Sequence, residues 1–189
     1  MTVSPLQTLT LEDFLRLPYL EASPAWEYID GNVLQKPMPK TRHSFLQKRL
    51  IRAIDHSGDD YTALPELRCT FGGRSTVPDI AVVAWERIPI NELGEPEDDF
   101  TEPPDWTIEI LSPDQKATRV IDNILHALKH GCRLGWMLDP DDYSIFVFSP
   151  GQETEVYRGE RLLPVLEGIN LPLTTAQIFD WLKLTKRKS

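Results

Sequence analysis

Two apolar, strand-like runs each carry a carboxylate where a hydrophobe would serve a core better: Asp79 in "STVPDIAVVAW" and Glu109 in "DWTIEIL". Side chains alternate between the two faces of a strand, so Thr107, Glu109 and Leu111 fall on one side and Trp106, Ile108 and Ile110 on the other. Counting reaches a third acid. Gly72 and Gly73 can take the positive φ of a tight two-residue hairpin turn; with Phe71 opposite Arg74, an outward count sets Glu66 opposite Asp79. If the strand of Glu109 lies beside that of Asp79, three acids share one sheet face. Like charges a few ångströms apart in a partly buried site stay ionised only when a cation neutralises them. Oxygen ligands suit Mg2+ or Mn2+ better than zinc, and such an ion polarises a phosphoryl oxygen and acidifies a water. Phosphodiester hydrolysis is the chemistry to expect. Each acid also has a plainer reading, because Asp after Pro often starts a strand, Glu66 after Pro65 suits an edge, and Glu109 can face solvent on an alternating strand.

The elements that must hold these residues follow from periodicity and turn chemistry. Thr10 caps a short helix in "LEDFLRL", with Asp13 at its third position, and Asp30-Gly31 closes a hairpin in "WEYIDGNVLQK". "TRHSFLQKRLIRAIDHSG" reads as an amphipathic helix with Phe45, Leu46, Leu50, Ile51 and Ile54 on its apolar stripe and Gly58 as its stop. The glycine hairpin comes next, then a Pro-rich acidic surface loop and the strand of Glu109, ended by Ser112-Pro113. A second long helix places Val120, Ile121, Ile124, Leu125 and Leu128 on one face and stops at Gly131. "LGWMLDP" and "YSIFVFS" read as strands, "EVYRG" and "RLLPVL" as an edge hairpin, and Thr174 caps a last helix in "TAQIFDWLKL". The order implies an α/β or α+β fold with a mixed central sheet flanked by helices. One domain over residues 1–189 is expected, with a core from about 10 to 150 and edge strands and a helix over 151–184.

The 189 residues carry a net charge of −9, which argues against a surface built to coat phosphate. The charge is uneven. "NELGEPEDDFTEPPD" holds seven acids and no base, while Lys40, Arg42, Lys48, Arg49 and Arg52 cluster elsewhere, as do the bases of "KLTKRKS". The two cysteines, Cys69 and Cys132, have no metal-binding or disulfide spacing and read as buried thiols. No apolar run approaches the ~20 residues of a membrane span, and the first residues lack the pattern of a secretory signal, so a cytoplasmic protein is expected.

Together "WEYIDG", "RHSFLQKRL", "VPDIAVV", "WTIEILSP" and "GCRLGWMLDP" resemble the Uma family of restriction-endonuclease-like proteins, in the PD-(D/E)XK nuclease superfamily, from about Leu11 to Pro150. The resemblance implies a restriction-endonuclease-like fold and a metal-dependent nuclease site. It implies Asp79 and Glu109 as metal ligands, Glu27 as an accessory acid, and His43 facing the site from its helix. The lysine departs from the pattern. An acid-X-lysine motif falls on Leu111, and the helical lysine common in the family falls on Asn123. Lys116, with His126 second, is the substitute expected to supply the missing cation.

Two functions of different class follow. The first is a Mg2+- or Mn2+-dependent endonuclease that hydrolyses DNA, using Asp79, Glu109 and Glu66 around the metal and working as a homodimer, by analogy with small nucleases that cut both strands with two sites. The second is a nuclease-fold binding or assembly protein without turnover, favoured by the missing lysine and the acidic surface.

Overall fold

Asp30 (φ 48°) and Gly31 (φ 83°) form the tight turn expected of them, and the hairpin pairs β1 (Trp26–Ile29) with β2 (Asn32–Gln35). The computed structural model describes residues 9–113 and 115–184; Lys186, Arg187 and Lys188 of the basic C-terminal run lie outside them. Ahead of this hairpin stands α1 (Leu11–Leu15), whose N–H at Asp13 donates to Thr10 Oγ1 at 3.1 Å in a capping box. The first long helix, α2 (Thr41–Asp55), leads into β3 (Tyr61–Pro65), β4 (Cys69–Phe71), β5 (Arg74–Thr76) and β6 (Ile80–Ala84). After the acidic loop come β7 (Trp106–Ile110), α3 (Ala117–Lys129), β8 (Leu134–Asp139), β9 (Ser144–Phe148), β10 (Glu155–Tyr157) and α4 (Thr175–Asp180).

The strands make two sheets, a four-stranded one in the order β2-β1-β5-β4 and a six-stranded one in the order β10-β9-β8-β7-β6-β3. Among the described strand pairs only β7 and β8 run parallel, and α3 is their crossover, as parallel neighbours require. The glycine hairpin spans both sheets without losing register. Phe71 faces Arg74 at its tip in the small sheet, and Pro65 faces Ile80 at its base in the large one.

Both faces of the large sheet are covered. Leu46, Leu50 and Ile54 of α2 and Ile178 and Phe179 of α4 pack on Ile80, Val82, Trp106, Ile108 and Ile110. On the other face Val120 and Ile124 of α3 meet Met137 and Phe148. Two helices bury different residues from the expected stripes. In α2 His43 is buried and Phe45 half-buried, and in α3 Asn123 is buried while Leu125 is half exposed. Stripes drawn from hydrophobes alone overlook polar side chains that face inward. The acidic loop is mostly exposed, but its end is anchored: Phe100 is buried, and buried Asp105 accepts the Ala84 N–H at 2.9 Å and pairs with Arg87. "RLLPVL" forms no strand; Leu162 makes an isolated bridge with Thr174 instead.

Gly135 on β8 is what lets α3 come close, since a Cβ there would stand 2.4 Å from Ile124 Cγ2. Ile124 is branched and fully packed, so it has no room to retreat. Gly135→Ala is expected to destabilise the fold by about 1–3 kcal/mol, the usual cost of overpacking, read as a lower urea midpoint at unchanged m-value.

Candidate active site

The β6–β7 register carries the two acids of the sequence motifs together. Ile80 pairs with Ile108 and Ala81 with Thr107, so the next rung sets Asp79 beside Glu109. Both are almost fully buried. The count from the glycine turn also holds at Glu66, whose N–H donates to Asp79 O at 3.3 Å.

The cation between the acids comes from the first hairpin. Lys36 directly follows β2, where its N–H donates to Ala25 O and continues the β1–β2 ladder. Its ammonium donates to Asp79 Oδ1 at 2.7 Å, to Val77 O at 2.7 Å and to Glu109 Oε2 at 3.4 Å. These three acceptors match the three donors of an ammonium. Asp79 is held on its other side too, since Oδ2 accepts the Ile110 N–H at 2.7 Å and lies 3.0 Å from His43 Nε2. Gln47, one turn along α2 from His43, donates to Asp79 O at 2.8 Å. Glu27 on β1 accepts the Val77 N–H at 2.9 Å and so braces the segment that leads into Asp79.

The electrostatics follow from this packing. Burial alone would lower the Lys36 pKa, but Asp79, Glu109 and Glu27 override it and the ammonium is held well above its ordinary range. Burial would raise Asp79, but Lys36 and His43 override that and hold it below the ordinary carboxylate range. Glu109 goes the other way. Burial pushes it up to about 8 against the pull of Lys36, with Asp79 and Glu27 adding to the rise. Two buried thiols take no part: burial raises Cys69 strongly and Cys132 to about 11, so neither is a ready nucleophile.

The other expected site residues lie differently. Glu66 corrects the three-acid cage, because its φ of 50° breaks the strand and its side chain is exposed at the rim. Among the described residues no group of three or more His, Cys, Asp or Glu side chains is arranged to hold a metal ion. Lys116 is exposed at the start of α3, in a separate groove with Asp30, Asn32 and Arg119. His126 stacks on Phe71 at 5.1 Å and its Nε2 lies 3.2 Å from Phe71 O, at the hairpin tip. Neither joins the acids; Lys36, absent from the expected set, does. Asn123, where the family's helical lysine would fall, is buried on the sheet-facing side of α3 with its Oδ1 unpaired among the described residues.

The donors nevertheless suit a hard divalent ion. Glu27, Asp79 and Glu109 set three carboxyl groups around one ammonium, and oxygen donors of this kind suit a dication. A cavity of about 20 Å3 opens between Asp79, Lys36, His43 and Glu66, room for one water or ion.

Comparison with known proteins bears on the fold and the family. No curated protein matches the chain. Among solved structures, it is similar to the crystal structure of a "putative nuclease belonging to DUF820" from Anabaena variabilis, with 49% identity and a TM-score of 0.89, over 92% of this chain and 99% of that one. Among the described residues no helix is long and apolar enough to cross a membrane. The relative and the family both support a nuclease. A family model described as "Putative restriction endonuclease" matches residues 11–176, and the chain belongs to that family, Uma2.

Proposed function

We propose that the protein is a divalent-metal-dependent endonuclease acting on DNA, with Asp79, Glu109 and Lys36 at its centre. The observation that carries this reading is the Lys36 ammonium set between two buried carboxylates from neighbouring strands. Together they are the two acids and the cation that metal-assisted phosphoryl chemistry uses, with the lysine brought from a different element.

Restriction-endonuclease-like families generally use a divalent metal; here Mg2+ or Mn2+ would be held by Asp79 and Glu109, and when bound it polarises the phosphoryl group and acidifies the attacking water. The protein's own groups do the rest. The Ile110 N–H and His43 fix the Asp79 carboxylate, so its oxygens need no reorganisation. Lys36 offers a fixed positive charge where negative charge develops on the phosphoryl oxygens and leaving group. Glu27 holds Val77, one acceptor of the Lys36 ammonium, and so positions the lysine. Cleaving both strands takes two such centres, so a homodimer is the expected working unit.

A second reading, a DNA-binding member of the family without turnover, is favoured by the same ammonium standing where a metal would neutralise the acids. A nicking assay separates the two. With Mg2+ or Mn2+, purified protein is expected to relax supercoiled plasmid, and excess EDTA to stop it completely. Metal binding with no cleavage of duplex or single-stranded DNA would support the second reading.

A further inference from the structure

The helix that brings His43 and Gln47 to the candidate site carries a different chemistry on its other face. At 100° per residue, Phe45, Lys48, Arg49, Arg52 and His56 gather on the side of α2 away from His43, Leu46, Leu50 and Ile54. With Trp181, just past α4, they line a groove of about 640 Å3. The cations are exposed, and among the described residues none of Lys48, Arg49 and Arg52 pairs with a carboxylate. Most of the other described arginines are neutralised. Twenty-nine acids outnumber twenty Lys and Arg, and Arg16, Arg42, Arg74, Arg87, Arg158 and Arg161 each lie against an acid. Three unneutralised cations gathered in one groove, beside two aromatic rings, complement a polyanion with flat bases.

We propose that this groove binds the sugar-phosphate backbone of the substrate DNA, outside the segment that enters the candidate site. The inference rests on the nuclease reading for the identity of the polyanion. The dimensions suit it. Arg49 and Arg52 lie about 9 and 14 Å along the helix axis from His43, at 1.5 Å per residue, and one helix width of roughly 10 Å across. A strand rising about 3.4 Å per nucleotide covers that path in four or five steps. Phosphates there meet Lys48, Arg49 and Arg52, and the rings of Trp181 and Phe45 offer stacking or apolar contact to exposed bases. Because the groove faces away from Asp79, it governs how tightly DNA is held and leaves the chemical step alone.

The test uses the full chain and a fluorescein-labelled DNA duplex of about 25 base pairs carrying a short single-stranded end. Anisotropy is followed in EDTA at several NaCl concentrations. The triple variant Lys48→Gln, Arg49→Gln, Arg52→Gln is expected to bind at least tenfold more weakly at low salt. Its slope of log Kobs against log[NaCl] is expected to flatten by roughly 2 to 3, close to one unit per lost phosphate contact. The exposed substitutions are expected to leave the thermal melt unchanged, and Lys48→Arg is expected to retain binding. Unchanged affinity and slope in a folded triple variant would overturn the proposal, as would polyglutamate competing as well as DNA at equal charge, which would mark an acidic-protein surface. Should no DNA be cleaved under any condition while the triple variant still loses binding, the nuclease reading fails and the groove stands. Cleavage with unaltered binding has the reverse meaning.

Discussion

Lys36→Met is expected to lower the DNA cleavage rate by about 10²- to 10³-fold, the usual cost of removing one preorganised charge or donor from a reacting phosphoryl centre. Methionine keeps the length of the chain and removes the charge, so the loss reports the ammonium. The same substitution changes stability. Lys36 lies between two nearly buried acids, and breaking a buried pair by deleting one partner costs about 3–5 kcal/mol in the metal-free protein. The pH dependence has a definite sign. In the folded metal-free chain Glu109 is raised from 4.5 to about 8, so its contribution to stability is complete below about 4.5 and is lost as the pH rises through about 8. Asp79 is lowered from 3.8, so its contribution is present above that value and is lost as the pH falls through the lower folded value. Without Lys36 both carboxyls rise, and more stability is lost on the alkaline side. The urea midpoint of Lys36→Met is expected to fall more steeply than wild type between about pH 5 and 8, and millimolar Mn2+ is expected to restore part of it. A variant that cleaves at the wild-type rate would remove Lys36 from the centre.

Asp79→Asn is expected to be the more severe change. It removes the carboxylate that Lys36, His43 and the Ile110 N–H all hold, and with it one of the two acids proposed to bind metal. The amide can still accept the Ile110 N–H, so the fold survives while metal affinity falls. Plasmid cleavage in Mg2+ or Mn2+ is expected to drop more than about 10³-fold, beyond the loss of a single donor, because the metal's contribution goes with the ligand. Isothermal titration with Mn2+ is the companion measurement. Loss of cleavage together with loss of Mn2+ binding fits the account, whereas intact binding to the Asn variant would place the metal elsewhere.

How much of this was readable from the sequence depended on whether a local count could reach it. The hairpin through Gly72-Gly73 fixes register over many rungs, so Glu66 is opposite Asp79 as counted, and the period of two in β7 puts Glu109 on the matching face. What a count does not supply is the backbone twist at Glu66, whose positive φ turns its side chain to solvent. The expected substitutes Lys116 and His126 lie near the family's motif along the chain, but the cation arrives from another hairpin. Its signal was present: counting outward from Asp30-Gly31 sets Glu27 opposite Leu34 and Lys36 one rung pair further on the same face. That face only becomes the site when the small sheet folds over the large one, a tertiary event that periodicity does not report. His43 is expected at the site from the family resemblance and lies there beside Asp79, whereas a helical stripe scored for hydrophobes alone passes over a buried imidazole.

The most direct test is a crystal structure of the wild-type protein soaked in Mn2+, read by anomalous scattering. The account predicts one manganese peak about 2.1 Å from oxygens of both Asp79 and Glu109, with the Lys36 ammonium moved off Glu109 but still beside the ion's ligands. A pocket with no manganese, in which Lys36 still bridges the two carboxylates at saturating Mn2+, would contradict it.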